Sequence, residues 1–310
     1  MRTRGCSSRS RARAPSTRCG SGCSPPSPNT SPGTDVPVEV KTAEQLLTMR
    51  RAGLVVAEGL RRMQEAAVPG VTTAEVDAVG RAVLAAAGAE SNFDGYGAEY
   101  GAPFRGVACI SINDELVHGM PGDRVIQDGD VVSVDFGAIV DGWHGDAART
   151  FIVGEARAED VELIAATREA LWAGISAVRD GCRVSDISRA IERSVKAQPR
   201  RYGSLREYTG HGIGSEMHME PDVPNQARRA PSTRLGVGMV VAIEPMLTLG
   251  LHQTVVADDE WTILSRDGSR GAHWENTVAI TEHGVWVLTE PDGGRAELEA
   301  RGVRFGPLGD

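Results

Sequence analysis

Two segments near the start of the chain carry apolar residues at the spacing of an amphipathic helix. Each follows a capping box, in which a threonine and a Gln or Glu three residues later can bond each other's backbone N–H groups. The two threonines are Thr42 and Thr72. The pattern predicts helices from 43 to about 66 and from 73 to about 88, both covering a sheet with their apolar faces.

Continuous apolar runs bounded by glycine and polar residues predict strands further along the chain. Residues 91–106, which precede these strands, lack any periodicity, and this predicts a long loop. Loops of this length often line functional sites. The run 131–140 then ends at Asp141-Gly142, a dipeptide that favours a two-residue type I′ turn. This strand should therefore fold back on 143–153 as a hairpin.

The predicted hairpin carries two aspartates on one face. In its register Asp135 lies opposite Ala148, and Asp146, two positions from Ala148, becomes the diagonal neighbour of Asp135. A charged side chain in a half-buried sheet needs a partner. Two carboxylates this close must share a proton or hold a metal ion, so the hairpin predicts half of a hard-cation site.

The second half of the chain repeats the order of residue types in the first. Helical patterns fill 159–179 and 185–196, and 238–244 then repeats the layout of 129–135. In both strands a glycine begins an apolar run, and a carboxylate, Glu244 in the second case, stands six residues after the glycine. Helix pairs alternating with strands predict an α/β or α+β fold with two similar halves packed face to face.

Histidines and further acids complete this repeat. A His-Gly pair precedes each strand, at His118 and at His211, and a second acid follows each, Asp146 in one half and Glu275 in the other. The junction of the halves should collect four carboxylates and a histidine, the carboxylates being those of Asp135, Asp146, Glu244 and Glu275.

That set of side chains suits one or two divalent cations with mixed oxygen and nitrogen ligands. Two ions that share bridging carboxylates and a water give a hydroxide near neutral pH, which attacks a carbonyl. The residues therefore predict hydrolysis of an amide or an ester. The competing interpretation is a set of surface acids that happen to lie near strands.

Charge and composition narrow the function further. The 310 residues carry a net charge of −9, yet residues 1–34 contain six arginines and no acid, so the remainder is strongly acidic. We expect no sequence-specific binding of nucleic acid. Residues 1–36 are rich in Arg, Ser and Pro without an apolar run, which predicts a disordered extension and no membrane segment there. Cys109 and Cys182 suggest no disulfide framework, which fits a reducing cytoplasm.

Motifs at six places resemble those of the type I methionine aminopeptidases, in identity, order and approximate spacing, over residues 38–290. The motifs are Asn113 to Pro121, Val134-Asp135, His144-Gly145-Asp146, Gly210-His211-Gly212-Ile213-Gly214, Ala242-Ile243-Glu244-Pro245-Met246 and Trp274-Glu275. The resemblance implies the pita-bread fold, a layered α+β fold with pseudo-two-fold symmetry and an antiparallel sheet covered by helices, in a catalytic domain over 37–310. It also implies removal of the initiator methionine from nascent polypeptides whose second residue is small.

The resemblance also implies the roles of individual site residues. Two ions would be bridged by Asp146 and Glu275, and Glu244 would pass a proton from the attacking water to the leaving amine. His118 and His218 match two histidines that are not ligands, which hold the scissile peptide and steady the developing oxyanion. The full set of implied metal ligands is Asp135, Asp146, His211, Glu244 and Glu275.

A pocket for the methionine side chain follows from the same resemblance. His118 would contact the substrate next to this pocket. The pocket itself would be formed by Phe104, Cys109, Met217 and Trp261. For Cys109 and Met217, plain core packing explains the residue type as well as substrate contact does.

One departure concerns the metal. The family usually has Glu-His-Thr where this chain has Glu275-Asn276-Thr277. Asn276 can form hydrogen bonds but cannot act as an imidazole base, and altered groups behind the ligands change metal affinity about 10–100-fold. Co, Mn, Fe and Zn all remain open as the two divalent ions, because carboxylate-rich sites tolerate each of them.

Two other functions fit the same ligand types. Aminopeptidases or dipeptidases for Xaa-Pro bonds share the fold and the ligands, although they usually carry an extra amino-terminal domain, for which 1–36 is too short. A non-catalytic binding protein on the fold generally loses ligands, and all five are present. We expect a cytoplasmic monomer that acts on nascent polypeptide N-termini, with association with the ribosome open.

Overall fold

The computed structural model describes residues 38–229 and 231–309. Its helices are α1 (Ala43–Ala66), α2 (Thr73–Ala87), α3 (Ala158–Ser176), α4 (Val184–Lys196) and α5 (Arg295–Ala300). The strands are β1 (Glu90–Ser91), β2 (Ala108–Ile112), β3 (Glu115–Val117), β4 (Asp130–Val140), β5 (Trp143–Val153), β6 (Gly203–Ser204), β7 (Gly210–Gly212), β8 (Met219–Val223), β9 (Val240–Ile243), β10 (Met246–Thr248), β11 (Thr254–Val256), β12 (Ile263–Ser265), β13 (Gly271–His273), β14 (Asn276–Thr281) and β15 (Gly284–Val287).

The strands pair antiparallel in two larger and two smaller sheets. One larger sheet has the order β1-β4-β2, with β5 also paired to β4, and the other has the order β15-β14-β9-β7-β8. The smaller sheets are β13-β10-β6 and β11-β12-β3. This antiparallel arrangement under helices confirms the α+β prediction.

A helix pair packs on each larger sheet. In the first half, α1 lies so close to β4 that a Cβ added at Gly59 would overlap the ring of Phe136. In the second half, a Cβ added at Gly174 of α3 would meet Ile191 of α4 and Ile243 of β9. Each half buries its own hydrophobic cluster under its helix pair, and the halves meet along β5 and β14.

The local helix signals are confirmed at both predicted capping boxes. The Thr42 hydroxyl accepts from the Gln45 N–H at 3.3 Å, and the Gln45 side chain accepts from the Thr42 N–H at 2.8 Å. Thr72 begins α2 in the same way, and Gly88 ends it in the left-handed conformation. One predicted detail was wrong, because helix α3 ends at Ser176 rather than near 179. The segment predicted as a long loop, 91–106, is a loop that contains a short 3₁₀ turn.

The β4–β5 hairpin has the predicted turn and register. Asp141 and Gly142 have φ values of 49° and 76°, as a type I′ turn requires. Asp135 pairs with Ala148, and Asp146 pairs with Gly137, so the two aspartates share one face two positions apart.

Three further predictions concerned membrane segments, the cysteines and the amino-terminal extension. Among the described residues, no helix is long and apolar enough to cross a membrane. Cys109 and Cys182 are both buried free thiols. The disordered extension predicted for 1–36 lies outside the described residues.

Candidate metal centre

Hydrogen bonds join β5 of the first half to the second half. The Thr277 hydroxyl accepts from the Asp146 N–H at 3.0 Å and donates to the Asp146 carbonyl at 2.8 Å. The Glu275 N–H donates to the carbonyl of Ala148 at 3.0 Å. These contacts hold the acids of the two halves against each other.

The register of β9 and β14 brings the two glutamates of the second half together. Ile243 pairs with Asn276. Glu244 follows Ile243 and Glu275 precedes Asn276, so in this antiparallel pair they occupy facing positions at one end. Glu275 is buried and Glu244 is largely covered, with 13% of its side chain exposed.

Several buried carboxylate oxygens in this cluster have no hydrogen-bond partner: Asp135 Oδ1, Asp146 Oδ1 and Glu275 Oε1. Burial and repulsion from neighbouring carboxylates raise the pKa values of Asp135, Glu244 and Glu275 well above their usual range. Burial also raises the pKa of Asp146, to about 7. Unpartnered buried acids are costly, and divalent cations are the partner that satisfies them together.

His211 lies in β7 and faces this cluster with one ring nitrogen. Its Nδ1 donates to the carbonyl of Gly212 at 2.9 Å, which leaves the lone pair on Nε2. Nε2 lies 3.7 Å from Glu244 Oε1. Burial lowers the pKa of His211 to about 4, so the ring is neutral at pH 7. Donor atoms of His211, Asp146 and Glu275 lie within 4.8 Å of one another, which fits metal binding.

Two further neutral histidines line the cluster. The ring of His218 lies 4.4 Å from that of His211, and its Nδ1 contacts the hydroxyl of Tyr96 at 2.9 Å. His118 adopts a positive φ of 58°, and its ring packs edge-on against Tyr208 at 5.5 Å. Burial lowers the pKa of His118 to about 4 and that of His218 well below its usual value.

The structure brings the four residues predicted for the methionine pocket into one apolar cluster. Cys109 pairs with Asp135 across β2 and β4, so the cluster borders the carboxylates. The rings of Phe104 and Trp261 meet edge-on at 5.5 Å. The members of the cluster are Phe93, Tyr96, Phe104, Cys109, Met120, Met217 and Trp261.

Comparison with known proteins identifies the family that builds such a site. The profile of metallopeptidase family M24 matches residues 48–282. The chain belongs to metallopeptidase family M24. It is 47% identical over 257 residues to methionine aminopeptidase 1 of Mycobacterium tuberculosis, an alignment that covers 81% of this chain and 95% of that one.

Solved structures confirm the pita-bread fold of this M24 member. The methionine aminopeptidase of Thermotoga maritima superimposes with a TM-score of 0.77 at 38% identity, over 82% of this chain and 100% of that one. The prolidase of Pyrococcus furiosus gives a TM-score of 0.64 at 25% identity, over 81% of this chain and 65% of that one. The protein is thus a hydrolase that uses divalent metal, and the Xaa-Pro alternative has less support.

Two residues of the M24 site were not found from the sequence. Tyr96 contacts His218, although the two lie 122 positions apart in the chain. His273 ends β13 with its side chain buried, and its Nε2 lies 3.4 Å from Glu244 Oε2. The signal for His273 was present, because residues 273 and 275 of an extended segment point to the same face.

Proposed function

We propose that the protein removes N-terminal methionine from polypeptides and holds two divalent ions through five ligands. The ligands are Asp135, Asp146, His211, Glu244 and Glu275. The observation that carries the proposal is the group of unpartnered, buried carboxylate oxygens facing a neutral imidazole. Asp146 and Glu275 come from opposite halves, and the N–H group of each donates a hydrogen bond to the opposite half, to the Thr277 hydroxyl and the Ala148 carbonyl, so both acids would serve the two ions.

The site's own residues divide the remaining work. Bound divalent cations would supply the positive charge that lowers the pKa of the attacking water. Glu244 accepts the proton of that water and delivers it to the leaving amine, a role that suits a largely buried carboxylate with a raised pKa.

The two histidines that are not ligands hold the peptide. Both are neutral at pH 7 because burial lowers their pKa values, so neither adds positive charge beside the cations. A neutral ring keeps one N–H that can donate to the carbonyl oxygen of the scissile bond and steady its developing charge. The hydroxyl of Tyr96 fixes the ring of His218 from behind.

The apolar cluster next to Asp135 accepts the methionine side chain. Sulfur and aromatic edges pack favourably, and Phe104 and Trp261 offer such edges. Cys109 lies beside the carboxylates, and burial with their negative charge raises the pKa of its thiol, so it stays neutral and serves as an apolar wall. We propose a small second residue in the substrate.

The substrate source and setting belong to the same proposal. We infer that the protein acts on the N-termini of nascent polypeptides in the cytoplasm as a monomer. Two free buried thiols among the described residues support a reducing compartment.

A peptide-cleavage assay tests this function. Protein stripped with a chelator should regain cleavage of a Met-Ala-Ser peptide on addition of Mn²⁺ or Co²⁺. Glu244→Gln should lower kcat about 10²–10⁴-fold, because the glutamine cannot accept the proton. Glu282→Gln, at an exposed glutamate in the β14–β15 turn, is the matched control and should keep full activity.

Two outcomes would contradict the proposal. One is the absence of cleavage with any divalent ion, as expected of a non-catalytic binding protein. The other is faster release of residues from Xaa-Pro peptides than from methionyl peptides, which would make the protein an Xaa-Pro peptidase.

A further inference from the structure

A second buried imidazole faces the glutamates of the metal centre. The Nε2 atom of His273 lies 3.4 Å from Glu244 Oε2 and 3.9 Å from Glu275 Oε2. Only 3% of the His273 side chain is exposed. The donor atoms of these three residues all lie within 4.8 Å of one another, as in the group that contains His211.

The backbone holds His273 firmly in this position. Its N–H donates to the hydroxyl of Thr150 at 2.8 Å, and that hydroxyl donates to the His273 carbonyl at 2.7 Å. His273 also pairs with Met246 across β13 and β10. Because three contacts fix its main chain at the end of a strand, the ring is presented to the glutamates by the fold.

The Nε2 atom of His273 is buried without a hydrogen-bond partner. The 3.4 Å separation from Glu244 exceeds the length of a charge-assisted hydrogen bond, about 2.7–2.9 Å. Two atoms that bind one ion at about 2.0–2.2 Å stand farther apart than hydrogen-bonded atoms do. A cation held by this imidazole and the two glutamates would therefore satisfy Nε2, Glu244 and Glu275 together.

We propose that His273 supplies a second imidazole nitrogen to the metal centre, in addition to the five ligands named above. The two rings face different oxygens of Glu244, with His211 Nε2 3.7 Å from Oε1 and His273 Nε2 3.4 Å from Oε2. This inference rests on the proposed metal centre and deepens it. A second nitrogen donor shifts the preference of a carboxylate site from Mn²⁺ towards Co²⁺ and Zn²⁺.

Nitrogen NMR of the full chain tests the proposal. The seven histidines are labelled with ¹⁵N, and long-range proton–nitrogen spectra are recorded before and after addition of two equivalents of Zn²⁺. The Nε2 signals of both His211 and His273 should move to the position of a metal-bound imidazole. Loss of one signal in His211→Asn and of the other in His273→Gln assigns them.

Zinc titration calorimetry gives a second readout that does not depend on activity. His273→Gln should weaken zinc binding about 10–100-fold, the range measured when a group around a metal is replaced. His283→Gln, at an exposed histidine in the β14–β15 turn, is the control and should bind as the wild type does. The thermal midpoint of each metal-free variant verifies that it is folded.

The possible outcomes distinguish a failure of the His273 inference from a failure of the proposed metal centre. If only the His211 signal moves and His273→Gln binds zinc normally, the sixth ligand is refuted and the five-ligand centre stands. If neither imidazole signal moves, both the inference and the proposed centre are overturned. Movement of both signals with weakened binding in His273→Gln supports the inference.

Discussion

The side chain of Asn276 points away from the carboxylates and into a buried polar network. Its Oδ1 accepts from Arg149 and from the hydroxyl of Thr289, both at 2.8 Å, and its Nδ2 donates to Glu290 at 3.1 Å. Arg149 also donates to the Glu275 carbonyl at 2.6 Å. Asn276 therefore holds Arg149 in place, and Arg149 in turn holds the main chain of the proposed metal ligand Glu275.

Replacing this residue tests that supporting role. Asn276→Ala removes the acceptor and leaves the donors of Arg149 and Thr289 buried without it, which costs about 1–3 kcal/mol. We expect the free energy of unfolding in urea to fall by that amount. Gln127→Ala, at an exposed amide, should change it little. Equal effects in the two variants would show that the network is not stabilising.

At the scale of the element, the β4–β5 hairpin depends on the backbone conformation of its turn. Gly142 has a φ of 76°, and the space beside its Cα is open, so an added Cβ would contact nothing within 4 Å. Gly142→Ala therefore isolates the cost of a left-handed backbone, about 1–2 kcal/mol.

A second glycine with open space beside its Cα provides the matched control for this turn. A Cβ at Gly122 also contacts nothing within 4 Å, but its φ is not positive. Gly122→Ala should be neutral or slightly stabilising, because alanine restricts the unfolded chain. Urea midpoints of the two variants are compared. A Gly142→Ala protein as stable as Gly122→Ala would argue against the type I′ turn.

At the scale of the whole molecule, the carboxylates make stability depend on metal and pH. The pKa of Asp146 is raised by burial from 3.8 to about 7. In metal-free protein this group stabilises the fold fully below about pH 4, and the stabilisation is lost as the pH rises through about 7. The buried histidines have lowered pKa values, so their contribution to stability has the opposite pH dependence. It is fully present above their ordinary pKa of about 6.5 and is lost as the pH falls.

We therefore predict a pH-dependent difference in the free energy of unfolding between the wild type and Asp146→Asn. Without metal, wild-type protein should lose stability relative to Asp146→Asn as the pH rises from about 4 to about 7, because only the wild type has a carboxyl group here that ionises in the unfolded chain but stays protonated in the fold. With Mn²⁺ the order should reverse, since the ion binds the charged carboxylate. Urea unfolding with chelator or metal at several pH values measures this. A difference that does not vary with pH would contradict the raised pKa.

At the same scale, we predict how removal of residues 1–36 affects folding and activity. All residues proposed for the site lie within the described ranges, from Tyr96 to Glu275. We expect a protein that begins at residue 37 to keep its fold and its activity on methionyl peptides, measured by circular dichroism and kcat/KM. Loss of folding on deletion would refute the interpretation of this segment as a disordered extension.

Local features were predictable from sequence because each depends on residues a few positions apart. The capping box at Thr42 involves a residue three positions away, and the Asp141-Gly142 turn sets the register that puts Asp135 opposite Ala148. The motif resemblance extended this to the grouping of the acids. The end of α3 was less predictable, because the chain leaves the helix at Ser176, before the left-handed Gly181.

The contacts of the remaining site residues were decided by tertiary structure alone. The sequence places Tyr96 in the predicted loop and His273 two positions before Glu275, but their contacts with His218 and Glu244 depend on how the sheets of the two halves pack. The same holds for Asn276, which the sequence puts beside a metal ligand and the fold turns towards Arg149. Sequence determined which residue types could bind metal, since chemistry resides in the side chain. The fold determined which of them meet, since distance between chain-remote atoms is set only by packing.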